Sequence, residues 1–397
     1  MKKIIERIIE FILMISSTVT TLTVLLIVFF LFKEGAGLFN ESPLEGDNVI
    51  AVNQSNPLTK LTAEQIKNIF DQKITHWNEI GGSKDSILLF SNAYIEDYLS
   101  EDELGTDFKN LPHKIDSLVA NNKGMLAIFS SQYKSKNFRG KALTIENVSL
   151  GGFLSGREWF PTAQPAVQLG VLPIILGTLW VSLMAIIIAL PIGLATAIYM
   201  AEVASMRMRN ILKPVIELLA GIPSVVYGFF GLVIIVPLVQ QAFKLDTGQT
   251  ALTGSILLAI MALPTIITVS EDAIRNTPRS MKEASLALGA NRWQTIIRVV
   301  LPYSSSGIAS AAILGIGRAI GETMAVLMVT GNAAVIPHSL LQPVRTIPAT
   351  IAAELGEAPQ GGVHYQALFA LGCILFIITM IINIWVEMIS SKRKAAK

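Results

Sequence analysis

Long apolar segments alternate with polar segments along the 397-residue chain. A helix needs roughly 20 apolar residues to cross the hydrocarbon core of a bilayer, and six segments reach that length. They are Phe11–Phe32, Leu169–Met200, Ala220–Phe243, Leu252–Ala273, Ser304–Thr330 and Ala367–Met388. The pattern therefore predicts an all-α polytopic membrane protein with six transmembrane helices.

The first apolar segment is too long for the core of a signal peptide and has no small-residue cleavage site. We therefore expect residues 1–33 to form an uncleaved N-terminal anchor helix. A long polar stretch follows, in which a strand-like run precedes an amphipathic helix predicted for Ala63–Gln72, with Thr62 as its cap. This stretch predicts a small α/β domain, residues 46–148, inserted between the first two transmembrane helices.

Charge is scarce and unevenly placed. Charged residues make up 15% of the chain, against about 25% in soluble domains, which excludes an ordinary soluble enzyme. Short cytoplasmic loops are enriched in Lys and Arg. Basic residues cluster before the first span, between the second and third, between the fourth and fifth, and at the end of the chain. We therefore expect both termini in the cytoplasm and the long insert on the outside.

No catalytic or metal-binding pattern is present in the sequence. The single cysteine, Cys373, excludes an internal disulfide, and the four histidines have no ligand spacing. The phosphate-loop motif G-x-x-x-x-G-K-[ST] does not occur. We expect no catalytic residue, metal, cofactor or nucleic-acid partner, and membrane lipid as the surroundings. The chain is then not an enzyme, and any ATP hydrolysis belongs to a separate subunit.

Two opposite charges interrupt the fifth apolar segment, in the stretch GRAIGETMAV. Arg318 and Glu322 are four residues apart, so a continuous helix places them on one face. An unpaired Arg at the bilayer centre costs roughly 2.5–3.5 kcal/mol on insertion scales, so this face is expected to look into a bundle or an aqueous path. Gly317 and Gly321 have the small-xxx-small spacing that lets a neighbouring helix approach closely. Two interpretations remain open: a structural ion pair, or an oxyanion station or gate on a transport path.

The polar loop 275–302 predicts two short helices joined at Gly289. Four of its residues, Met281, Ala284, Leu286 and Leu288, are expected to pack, while its arginines face lipid headgroups or a partner.

This loop resembles the signature of ABC importer permeases, in which E-A-A is followed after three residues by G and after nine more by I-x-L-P. The matching residues here are Glu283, Ala284, Gly289, Leu301 and Pro302, with Ser285 and Val299 as mild departures. The resemblance implies that the loop seats in a cleft of a separate ATPase subunit.

Three further motifs narrow the resemblance to the PstC-type permeases of phosphate importers: FLSGREW from Phe153, IPSVVYG from Ile222, and GRAIGETMAV. The resemblance covers the first span and the region from about Gly152 to the C-terminus. It implies the ABC type I importer permease fold over residues 152–390, in a bacterial cytoplasmic membrane. It also implies a role in transport for Arg318 and Glu322. The implied partners are a PstA-like sister permease, a PstB-like ATPase dimer and a PstS-like phosphate-binding protein.

The insert resembles part of a phosphate-binding protein, from its start NVIAVNQSNP to GKALTIENV. Such a receptor carries an Arg and a Gly-Ser-Gly-Thr turn that presents backbone N–H groups to phosphate. The corresponding stretch here has neither, and instead carries the acids Glu96, Asp97, Glu101, Asp102 and Glu103. We therefore predict that the insert does not bind phosphate, and that it either docks a receptor protein or is a fusion relic.

Other functions stay open at this point. The same coupling loop would serve a permease for molybdate, sulfate or another oxyanion. A membrane sensor that reports phosphate to a cytoplasmic partner is a further alternative, although the chain has no recognisable cytoplasmic signalling domain.

Overall fold

The computed structural model describes residues 2–44, 47–91, 95–99, 104 and 108–395. The chain divides into two compact units. The membrane unit comprises Met1–Phe32, Leu172–Ala358 and Leu368–Lys397, and the insert unit comprises Lys33–Val171 and Pro359–Ala367. Helix α1 (Lys2–Gly37) begins the chain.

The insert unit is an α/β structure, as predicted. The strands of this unit are β1 (Asn48–Val52), β2 (Lys60–Leu61), β3 (Leu88–Ser91), β4 (Met125–Ser130), β5 (Lys141–Ala142), β6 (Thr144–Ile145), β7 (Trp159–Phe160) and β8 (Gln168–Leu169). Four of them form a mixed sheet in the order β3-β4-β1-β5, and β2-β6 and β7-β8 form two-stranded sheets. Strands β1 and β4 are antiparallel, with Ile50 opposite Ile128, whereas β3 and β4 are parallel. The helices of this unit are α2 (Ala63–Phe70), α3 (Ile95–Tyr98), α4 (Leu111–Asn121) and α5 (Leu150–Ser155).

Helix α2 shows how the sequence sets these elements. The Thr62 hydroxyl accepts the backbone N–H of Gln65 at 3.1 Å, and the Gln65 side chain accepts the N–H of Thr62 at 2.9 Å. This capping box satisfies two N–H groups that the first turn would leave unpaired. The apolar face of the helix buries Ile66 and Ile69. The predicted cap is therefore confirmed.

Among the described residues, eleven α-helices of very different length follow the insert. The long ones are α6 (Leu172–Ile198), α10 (Ala251–Arg275), α13 (Leu301–Gly321) and α16 (Val363–Ala395). The shorter ones are α7 (Met206–Ala220), α8 (Ser224–Phe230), α9 (Val236–Phe243), α11 (Arg279–Ala287), α12 (Arg292–Thr295), α14 (Met324–Val329) and α15 (Ile347–Glu354). Three π-helical turns follow α6, α8 and α12, at Tyr199–Val203, Gly231–Ile235 and Ile296–Val300.

Within the described part of the chain, six helical stretches are long and apolar enough to cross a membrane, which confirms the predicted number. They are Ile9–Asn40, Leu172–Val203, Ser224–Phe243, Ala251–Arg275, Arg292–Gly321 and Val363–Met388. The third begins at Ser224, four residues later than predicted. Helix α7 ends at Ala220, and Pro223 is the N-cap of α8.

Helix α10 lies at the centre of the membrane unit and packs against α6 and α13. Small residues bring these helices close together. A Cβ on Gly193 of α6 would meet Ile266 at 2.7 Å, and one on Gly307 of α13 would meet Ala273 at 2.3 Å. At its far end, α10 is joined to α7 by an ion pair of 2.7 Å between Arg209 and Glu271, whose side chain is 1% exposed.

Candidate functional site

The predicted fifth span is not one continuous helix. Helix α13 ends at Gly321, Glu322 is extended (φ −71°, ψ 131°), and α14 begins at Met324. Local side-chain bonds replace the helical ladder at the break. The Thr323 hydroxyl donates to the Gly321 carbonyl at 3.2 Å, and the Glu322 carboxylate accepts the N–H of Ala325 at 3.4 Å. The expectation of one helix over Ser304–Thr330 is therefore wrong.

The break changes the relation between the two charges. Since Glu322 lies beyond the helix end, it no longer shares a helical face with Arg318. Among the described residues, no ion pair joins these two side chains within 4.0 Å. The predicted helical ion pair is therefore wrong, because the carboxylate is turned to the first turn of α14 instead.

Arg318 contacts α10 instead. Its Nη1 donates to the Thr265 hydroxyl at 3.4 Å, and both side chains are half-buried. A guanidinium has five N–H donors. Within the described part of the chain, Thr265 is the hydrogen-bond partner found for the Arg318 side chain, and it carries no charge. Arg318 is thus held in place by a neutral group, with donors left for a ligand.

The surface beside Arg318 is open. A Cβ on Gly317 or Gly321 would meet no atom within 4 Å, whereas one on Gly315 would meet Ile266 at 2.9 Å. The close helix approach that was predicted at Gly317 and Gly321 occurs instead at Gly307 and Gly315, which face α10. The small residues next to Arg318 therefore leave a free surface on this chain.

The loop between α10 and α13 has the predicted shape. Helices α11 and α12 flank Gly289, whose φ of +85° is a left-handed conformation that favours glycine. Asn291 caps α12, accepting the N–H of Gln294 at 2.8 Å. The motif residues Glu283, Ala284 and Gly289 are exposed on this loop, Leu301 is half-buried at the start of α13, and Pro302 is exposed in its first turn.

The expected packing of apolar loop residues is wrong. Met281, Ala284, Leu286 and Leu288 are all exposed, Leu288 by 89%, and α11 has no buried residue. The described residues of this chain therefore leave these four side chains uncovered. Ser285 nevertheless contributes a contact, because its hydroxyl lies 3.0 Å from that of Thr295 and links α11 to α12.

Two contacts of these sites were not predicted from the sequence. Thr265 follows Pro264 inside an apolar segment, where no pattern marks it as a partner of Arg318. Glu202 ends the second span, and its carboxylate lies 2.5 Å from the Lys282 ammonium on α11. An acid at the end of an apolar segment, opposite a basic loop, was the available signal for the second contact.

The insert unit can be described only in part at the position of the receptor's phosphate-binding turn. The side chains of Glu96 and Asp97, and residues Glu101, Asp102 and Glu103, lie outside the described part of the chain. The predicted acidic character of that region therefore stays a prediction.

An ion pair between Asp116 and Arg139 lies elsewhere in the insert unit. The Asp116 carboxylate accepts the backbone N–H of Arg139 at 2.6 Å and its Nε at 3.0 Å. Burial alone would raise the pKa of Asp116, but the two hydrogen bonds and the charge of Arg139 together lower that pKa below its ordinary value.

Comparison with known proteins identifies the family. Residues 189–395, more than half of the chain, match the inner membrane components of binding-protein-dependent transport systems. Residues 35–187 match the PBP superfamily domain.

Individual relatives are ABC permeases. The probable ABC transporter permease protein YqgH of Bacillus subtilis is 40% identical over 254 residues, which are 64% of this chain and 82% of the relative. The phosphate transport system permease protein PstC of Mesorhizobium japonicum is 38% identical over 249 residues, 58% of this chain and 75% of the relative. An inward-facing structure of the MetNI methionine ABC transporter aligns with 55% of this chain and 93% of its own, at 19% identity and a TM-score of 0.44. The chain therefore belongs to the family of inner membrane permease components of binding-protein-dependent ABC transport systems, and within it resembles the PstC-type permeases.

Proposed function

We propose that this chain is the permease subunit of an ATP-driven ABC importer for inorganic phosphate and forms half of the translocation path. The observation that carries the proposal is the position of Arg318. A guanidinium at a helix break in an apolar segment is held by a neutral hydroxyl and faces an open surface. Relatives of the chain at 34–38% identity are named phosphate transport permeases.

Arg318 has the chemistry to receive an oxyanion. The planar guanidinium fork forms two parallel hydrogen bonds to phosphate oxygens, and such charge-assisted bonds are roughly twice as strong as neutral ones. A neutral partner leaves the positive charge uncompensated, so an anion is attracted more strongly than it would be to a paired Arg. We propose that Arg318 is a station for phosphate within the membrane.

Glu322 would limit the lifetime of the bound anion. Its carboxylate caps α14 through a single 3.4 Å hydrogen bond, which is long. If Gly321–Thr323 became helical and extended α13, Glu322 and Arg318, which are four residues apart, would lie on the same face of that helix. The carboxylate would then compete with phosphate for the guanidinium. We propose that this exchange releases the anion.

The loop 275–302 is proposed to be the surface that binds the ATPase subunit. Helix α11 and the residue after it present three large apolar side chains, Met281, Leu286 and Leu288, that the described residues of this chain do not cover. Exposed apolar clusters of this kind mark protein interaction sites. Glu283, Ala284 and Gly289 are exposed on the same loop. ATP hydrolysis would take place on that partner, at a site this chain does not supply.

The remaining partners follow from the proposed transport system. A PstA-like sister permease would complete the path beside Arg318, and a PstS-like binding protein would deliver phosphate. Both termini would lie in the cytoplasm and the insert unit outside, as the distribution of Lys and Arg indicates. The insert unit is proposed to contact the binding protein without binding phosphate itself. Calorimetric phosphate binding by the intact chain that survives Arg318→Gln would contradict the last point.

Uptake of labelled phosphate into proteoliposomes tests the proposed function. The vesicles contain this chain, the sister permease, the ATPase and the binding protein, with vesicles lacking this chain as the control. The proposal predicts ATP-dependent phosphate uptake that excess sulfate and molybdate do not reduce. Uptake that molybdate or sulfate suppresses would assign the chain to another oxyanion. No phosphate uptake, with or without ATP, would favour the sensor alternative.

A further inference from the structure

Glu202 connects the second span to both helices of the cytoplasmic loop. It lies in the π-helical turn Tyr199–Val203 that ends α6. Its Oε1 lies 2.5 Å from the Nζ of Lys282 on α11, and the two side chains are only 13% and 22% exposed. Partial burial makes such a pair stronger than one in open solvent, since water screens it less.

The backbone of Glu202 makes a second connection. The Arg292 guanidinium, at the first position of α12, donates a hydrogen bond to the carbonyl oxygen of Glu202. A cation is unfavourable at the N-terminus of its own helix but favourable at the C-terminus of another, where carbonyl groups lack partners. The contact with α6 therefore gives Arg292 a favourable position that α12 alone would not.

The two loop helices are also bonded to each other. The hydroxyls of Ser285 and Thr295 lie 3.0 Å apart, across the turn at Gly289. A force on α11 is therefore shared with α12, and the single residue Glu202 contacts both helices. By chain connectivity the loop is joined only to α10 and α13, so Glu202 supplies a non-covalent third connection, to α6.

We propose that Glu202 is a positioning residue that transmits movement of the loop Arg279–Thr295 to the second span. The inference rests on the proposed function, in which this loop binds the ATPase. A displacement of the loop would then reach α10, α13 and α6 together. Loss of the Glu202 contacts would leave ATP binding and hydrolysis in place on the partner but would reduce the phosphate moved for each ATP hydrolysed.

The test compares Glu202→Gln and Lys282→Gln with the reversed pair Glu202→Lys/Lys282→Glu, in the complete reconstituted complex. Glu217→Gln is the matched control, because Glu217 is an exposed carboxylate on α7 with no ion pair to another described residue. We expect phosphate uptake per ATP to fall about 10-fold in the single variants, as for directly coupled charges. The reversed pair should recover most of that loss, and the control should match the wild type.

Amide hydrogen exchange over residues 279–295 tests whether Glu202 stabilises the loop, independently of transport. Exchange should be faster in Glu202→Gln than in Glu217→Gln. Equal exchange in the two variants would overturn the proposed connection, whatever the complex transports. Faster exchange with unchanged uptake per ATP would overturn the coupling role. A wild-type complex that takes up no phosphate, but whose exchange depends on Glu202, would instead refute the proposed function and leave the connection supported.

Discussion

Arg318 donates a hydrogen bond to Thr265 on helix α10, at 3.4 Å, rather than forming an ion pair with Glu322 on its own segment. The guanidinium is therefore bonded to the helix that leads directly into the loop 275–302. Thr265 and Arg275, the first residue of that loop, belong to one continuous helix, Ala251–Arg275. Movement of α10 by a partner at the loop would thus shift the group that positions Arg318.

Thr265 is predicted to position the guanidinium. Thr265→Val removes the hydroxyl but keeps the shape of the side chain. Loss of the hydrogen bond that positions Arg318 should cost about 1 kcal/mol, which corresponds to roughly a 5-fold loss in phosphate uptake. The effect should appear in KM for phosphate delivered by the binding protein. Thr265→Ser keeps the hydroxyl and should transport like the wild type. If Thr265→Val transports as well as Thr265→Ser, the hydrogen bond has no part in transport.

Gly289 is predicted to be required for the shape of the loop. Its φ of +85° would cost about 1–2 kcal/mol in a residue with a Cβ. Gly289→Ala should therefore reduce the amount of ATPase that co-purifies with the chain. Gly356→Ala is the matched control, since Gly356 also has open space around it but no positive φ. Equal co-purification with both variants would contradict the requirement for a left-handed residue.

Substitutions at Gly315 and Gly317 are predicted to have different effects on stability, although the two residues are only two positions apart. A Cβ on Gly315 would lie 2.9 Å from two atoms of Ile266, whereas Gly317 faces open space. Gly315→Val should lower the stability of the membrane unit by about 1–3 kcal/mol, as overpacking does. Gly317→Val should leave the thermal midpoint of the detergent-solubilised chain unchanged. A midpoint that falls equally in both would mean that α13 packs differently against α10.

The stability of the insert unit is predicted to depend on pH through Asp116. Its pKa is lowered by Arg139, so the carboxylate stabilises the folded state at pH values above its unfolded pKa of about 3.9. That stabilisation is lost as the pH falls through the lower folded pKa. Protection factors for amide exchange in Leu111–Asn121 should therefore drop below about pH 4 in the wild type. Asp116→Asn should show lower protection at neutral pH and a weaker change with acid; identical profiles would contradict the assignment.

Local sequence patterns predicted much of the architecture, because the features concerned are local. The apolar runs gave the six spans by length alone, and Thr62 with Gln65 marked the start of α2. Gly289 between two helix-forming segments predicted the turn in the loop. Each of these depends on residues within a few positions of one another, where periodicity and capping rules apply directly.

The details of the candidate site depended on contacts that such patterns do not contain. No proline marks the break after Gly321, which arises from side-chain bonds of Glu322 and Thr323 to nearby backbone groups. The partner of Arg318 is 53 residues away in sequence, on a helix identified only by its apolar length. The sequence predicted two short helices for this loop, but it could not show that the described residues of the chain leave its four apolar residues uncovered.

The central claim is that phosphate passes by Arg318. The most direct measurement is uptake of labelled phosphate by cells that lack this chain and carry the wild type, Arg318→Gln or Arg318→Lys, with membrane levels of each variant matched. We expect phosphate uptake with the wild type that sulfate and molybdate do not reduce, and near-complete loss with Arg318→Gln. Arg318→Lys should keep partial activity, because it keeps the charge without the planar fork. Wild-type rates of phosphate uptake with Arg318→Gln would contradict the central claim and leave Arg318 a structural residue.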